Sequence, residues 1–138
     1  MLNPEGFHHS PASHDGCVLF VKLRQFGGDD RVHQRTDTTS LKWMPVREGV
    51  SEKKLYSHAQ HAETIVLEQW QTCDELAISA PSNQLFEVLF LSGTATDKTT
   101  AVSYRRWSWV RVPVGDTLRL AVTEPCEVYI KRGEWRGD

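Results

Sequence analysis

Phe86-Glu87-Val88-Leu89-Phe90-Leu91-Ser92-Gly93, residues 86–93, is the stretch from which the fold is read. Val88 to Leu91 form an unbroken apolar run, closed by Ser92-Gly93 and preceded by the turn residues Pro81-Ser82-Asn83. A short apolar run between turn signals predicts a strand covered on both faces. Working outward, Cys126–Lys131 alternates: Val128 and Ile130 point one way, Glu127, Tyr129 and Lys131 the other. Trp107 and Trp109 likewise share a face opposite Arg106 and Ser108. Cys17–Phe26, Glu63–Trp70 and Trp107–Pro113 read as further strands, with weaker candidates at Leu76–Ser79, Ala101–Tyr104 and Thr117–Val122. Helical periodicity is scarce, so the pattern predicts an all-β sandwich or barrel.

The chain has 138 residues and a formal charge of −2, with 16 basic and 18 acidic side chains. That suits one compact domain and supplies no basic footprint for nucleic acid. No apolar run approaches the roughly 20 residues needed to cross a bilayer. The opening Met-Leu-Asn-Pro-Glu-Gly predicts no signal peptide. Three cysteines, Cys17, Cys73 and Cys126, point to reduced thiols and a cytoplasmic protein. Residues 1–26 read as a separate arm, 27–40 as a polar, turn-rich linker, and 41–138 as the barrel.

The two ends of the chain repeat each other. Pro4-Glu5-Gly6 and Cys17-Val18-Leu19-Phe20-Val21-Lys22 recur as Pro113-Val114-Gly115 and Cys126-Glu127-Val128-Tyr129-Ile130-Lys131. Ala12 matches Ala121 at the same ungapped offset. Fixed-spacing similarity predicts a duplicated unit, with the arm as the tail of a preceding one.

At these residues the chain resembles the cupin superfamily, and within it the ChrR-type cupins of anti-sigma factors and tandem-cupin proteins. The resemblance rests on Pro4-Glu5-Gly6-Phe7-His8-His9 followed by Gly16-Cys17-Val18-Leu19-Phe20-Val21-Lys22. It continues through Trp43-Met44-Pro45-Val46, Glu87–Asp97 and Ser108–Pro113. It implies a double-stranded β-helix, a jelly-roll barrel, with an N-terminal strand arm. It also implies a divalent metal held by His-x-His, a Glu and a further His. Aligned on Gly93, the Glu position falls on Phe86, the last His position on Leu118, and the His pair within Ser79–Ser82. No His lies beyond His61, so the barrel is expected to lack the usual metal site.

His9 occupies the one ligand position kept, in the arm, with His8 and His14 as companions for an adventitious ion. Glu87 could act as an acid or base, though a strand-end carboxylate facing solvent or an arginine is favoured. Glu87, Trp107, Trp109 and Leu118 are the candidate ligand-pocket residues, with core packing favoured for the tryptophans. Cys17 and Cys126 read as small buried packing groups, and His58 and His61 as part of an exposed loop. Cys73 has no basic neighbour in sequence to activate it.

The residues favour a non-catalytic module, regulatory or small-ligand-binding, with no cofactor. The alternatives are a metal-dependent, dioxygenase-like enzyme using His9 with Zn or Fe, and a truncated product of a tandem-cupin gene. Sigma-factor inhibition would need a zinc-binding helical domain that this sequence does not carry. An apolar arm strand left unpaired invites association, so a homodimer through the arm is expected.

Overall fold

The structure, a computed structural model, describes residues 1–3, 6–8, 10–22, 32–58 and 62–134. It divides into two compact units, Met1–Asp37 and Thr38–Asp138.

The second unit is built from β1 (Met44–Arg47), β2 (Val50–His58), β3 (Glu63–Trp70), β4 (Cys73–Ser79), β5 (Gln84–Asp97), β6 (Ser103–Arg105), β7 (Trp109–Val112) and β8 (Thr117–Glu134). Every pairing is antiparallel. Two strands decide the architecture. The first half of β5 pairs with β7 and its second half with β6, while β8 runs along both halves. The first half of β8 pairs with β4 and its second half with β3. One layer therefore runs β1-β2-β3-β8-β5-β7 and the other β4-β8-β5-β6, the two long strands serving both. This is a jelly roll, as the alternation predicts.

The bends are local and identifiable. The β5–β8 register shifts between Phe90 and Ser92, again before Thr94 and again before Ala95. Gly93 lies there at φ +81°, where a Cβ would collide with the Pro125 carbonyl oxygen and stand 2.6 Å from Cys126 Cα. Only a glycine allows the two backbones to approach this closely. Ser92-Gly93 is thus a bend inside one strand rather than the turn the sequence suggests, and Thr117–Val122 and Cys126–Lys131 are halves of a single strand through Pro125. Proline is tolerated there because the ladder is already interrupted by the bend.

Between the layers lies one apolar core, including Trp70, Phe86, Val88, Phe90, Leu120, Val128 and Ile130. Trp70 meets Phe90 edge-on at 5.8 Å, and Phe90 stacks on Tyr104 at 5.5 Å. The whole run from Phe86 to Phe90 is buried, as expected for a strand covered on both sides. Strand β2 is longer than its sequence advertises, and His58 closes it half-buried rather than lying in an exposed loop; His61 lies outside the described residues.

In the first unit the described residues contain one isolated bridge, Leu2 to Gln34, and Phe7 stacked on His33 at 4.3 Å. The strand expected at Cys17–Phe26 is not formed over Cys17–Lys22, and residues 23–26 lie outside the described ones. Val18, Leu19 and Val21 are 70%, 60% and 64% exposed, and Cys17 is exposed rather than packed. The same residue pattern forms the central strand β8 at Cys126–Lys131, where β3 and β5 supply hydrogen-bond partners on both sides. Strand geometry needs a neighbour for its N–H and C=O groups, and the sequence pattern alone cannot supply one.

Candidate ligand site in the barrel

Of the positions where the resemblance implies metal ligands, the Glu and last His positions are hydrocarbon, and the stretch for the His pair is Ser79-Ala80-Pro81-Ser82. Phe86 is fully buried, Leu118 is 5% exposed, and both belong to the core with Ile78 and Ala80. Ile78 and Leu118 are directly paired across β4 and β8. Among the described residues, no group of three or more His, Cys, Asp or Glu could hold a metal ion. His9 lies outside the described residues. His8 is exposed, and the fully exposed His14 is hydrogen-bonded to its neighbour Asp15 at 3.0 Å.

Glu87 is buried, but on the face of β5 opposite Phe86, Val88 and Phe90, so it points out of the barrel interior. Arg111, paired with it across β5 and β7, donates from Nε and Nη2 to Glu87 Oε1 at 3.2 and 3.0 Å. It is an ion-paired strand carboxylate rather than an acid or base in the cavity. The Arg111 guanidinium also lies 5.3 Å from the Trp109 ring centroid.

Trp107 and Trp109 are not core residues: each is about half exposed. Trp107 does not extend β7 either. It holds φ +72° in the β6–β7 turn, donating its backbone N–H to Phe90 O at 2.7 Å. Positive φ in a bulky residue breaks the alternation on which the strand reading rested. Trp70, at the end of β3, is the tryptophan that packs in the core.

A groove of about 370 Å³ opens beside the β5–β6 hairpin, lined by Asp97, Tyr104, Arg111, Asp116, Thr117 and Leu118 among others. Of the four pocket residues expected from sequence, Leu118 alone lines it. Asp97 Oδ1 accepts the backbone N–H groups of Thr99 and Thr100 at 2.8 and 3.4 Å. Burial pushes the Asp97 carboxyl up, but these bonds and the threonine hydroxyls outweigh it and leave the pKa below its ordinary value. Tyr104 is raised, mainly by burial and then by the Asp97 charge, and so stays a neutral hydroxyl near pH 7.

Inside the barrel the structure holds a polar group that the sequence reading passed over. Glu68 is 4% exposed and shares the inward face of β3 with Val66 and Trp70. Its Oε2 accepts Trp70 Nε1 at 2.7 Å, and its Oε1 accepts Arg132 Nη2 at 3.2 Å. Arg132 stands between Thr64 and Phe86 in register, on the inward face of β8 with Ile130 and Val128. The signal was the alternation Val66-x-Glu68-x-Trp70, which places a carboxylate on an otherwise apolar face.

No protein-family model matches the sequence, and no curated protein matches it either. Solved structures do match in fold. An RmlC-like cupin from Shewanella frigidimarina superposes with a TM-score of 0.61 at 9% identity, covering 78% of this chain and 96% of that one. KdgF from a Halomonas species gives 0.59 at 12% identity, over 72% and 94%. The cupin domain of Schizosaccharomyces pombe Cnp3 gives 0.58 at 12% identity, over 72% of each chain. The barrel is therefore a cupin-type jelly roll, and identities this low carry the fold alone.

Proposed function

We propose that this chain is a small-ligand-binding cupin module of the ChrR kind, regulatory rather than catalytic, that works without metal at the usual cupin position. The observation that carries the reading is the burial of Phe86 and Leu118 in one apolar core, where the resemblance implies a carboxylate and an imidazole. A divalent ion needs preorganised lone-pair donors, and these side chains offer none. The groove beside Tyr104 and the polar pair inside the barrel support ligand binding, since both set hydrogen-bonding groups against apolar walls. The exposed Val18, Leu19 and Val21 support association of two copies through the arm. Free thiols at Cys17, Cys73 and Cys126 suit a reducing, cytoplasmic setting.

Elemental analysis of protein purified without a histidine tag tests the metal question. Substoichiometric metal is the expected result, and one equivalent of Fe, Zn, Mn or Ni would replace this reading with a metal-dependent enzyme using His9. Thermal-shift measurements against small organic molecules test the ligand question. A ligand at a hundred times its Kd stabilises the fold by about 2.7 kcal/mol, a readily measured rise in Tm.

A further inference from the structure

The barrel interior contains a guanidinium with more donors than the protein uses. The Arg132 side chain is about three-quarters buried, at 24% exposure, and its partner Glu68 is 5% exposed at the side chain. In register the two stand four residues apart along the strands, because Glu68 pairs with Val128. The Arg132 side chain therefore runs back along the inner face, over the Val66–Ile130 row, to reach Glu68. A guanidinium carries five N–H donors, and among the described residues only Nη2 finds an acceptor, Glu68 Oε1 at 3.2 Å. None of its nitrogens is both sealed from solvent and unbonded, so the unused donors reach solvent. Directly beside Arg132 on β5 stands Phe86, an apolar ring on the same inward face.

From this geometry we infer that Arg132 is the anchor of a binding site for small organic carboxylates. A monocarboxylate takes the unused N–H donors as charge-assisted hydrogen bonds at the solvent-facing side of the guanidinium. Planar, paired donors match a carboxylate, and partial burial strengthens each bond relative to water. Glu68 holds the guanidinium in place and competes for it. Trp70 reports on the event, since its indole N–H bonds the other oxygen of Glu68 at 2.7 Å. The inference rests on the ligand-binding reading above and names the ligand class.

The test is titration of the full-length protein with benzoate, followed by the indole N–H cross-peak of Trp70 in a ¹⁵N spectrum. That peak is assigned by its loss in Trp70→Phe. A saturable shift is expected. Arg132→Met combined with Glu68→Gln, which leaves no buried charge unpaired, should weaken binding roughly tenfold or more. Glu68→Gln alone should tighten it several-fold, because the competitor is gone; a purely structural role for the pair predicts no tightening. Benzoate binding that survives in the double variant would overturn the assignment to Arg132 while leaving the ligand-binding module intact. No saturable shift with benzoate, or saturation by inorganic phosphate instead, would overturn the ligand class.

Discussion

At Gly93 the chain holds φ +81° where an added Cβ would strike the Pro125 carbonyl, so Gly93→Ala joins backbone strain to a clash with main chain that cannot step aside. Urea unfolding should show a loss of about 3 kcal/mol or more. Two buried groups shape behaviour in alkali. Burial, with a smaller push from the Glu124 charge, raises the Cys126 thiol to about 11 from 9.0, and burial alone raises the Tyr129 phenol to about 12 from 10.0. In both, the neutral form is favoured by folding. Their contribution is fully present below the unfolded values and drains away as pH climbs to the folded ones. Tm should therefore fall steeply between pH 9 and 12. Cys126→Ala should flatten the lower part of that descent and Tyr129→Phe the upper, whatever each does to Tm at neutral pH.

Among the elements, the β6–β7 turn concentrates strain. Trp107 sits at φ +72° while Ser108 N donates to Arg105 O at 2.8 Å and Phe90 N to Ser108 O at 2.9 Å. Trp107→Gly should be more stable than Trp107→Ala by about 1 kcal/mol, since both lose the indole and only glycine relieves the backbone. Calorimetric Tm values of the two variants measure the difference. How far elements were legible follows from how locally each is encoded. Strands β3 and β7 and the second half of β8 carry alternating or aromatic-rich patterns, and the apolar run of β5 announced its double burial. Strand β2 did not: Ser51-Glu52-Lys53-Lys54 is polar, and its strand geometry comes from pairing with β3. The continuity of β5 through Gly93 and of β8 through Pro125 was hidden because bend and turn use the same residues. Site residues fared likewise. Glu87, for which an arginine partner is the favoured reading, pairs with Arg111 on the outward face, whereas Glu68 on the inward face was overlooked. Face assignment depends on where each strand begins, which the sequence marks poorly.

For the whole molecule, association is the property most exposed to test. Val18, Leu19 and Val21 present apolar surface on the arm, and the proposed pairing of two copies would bury it. Light scattering behind size exclusion should give a dimer for the native chain and a monomer for Leu19→Asp combined with Val21→Asp. Far-UV circular dichroism should be the same for both. An unchanged mass would remove the arm from the interface.

Strand β8 is the last piece of the barrel to leave the ribosome, yet it is wedged between β3 and β5 in one layer and between β4 and β5 in the other. Nothing synthesised earlier can close around a vacant middle. The barrel therefore cannot close before β8 has been made. Truncation inside Thr117–Glu134 should therefore yield no smaller barrel, only material for proteolysis.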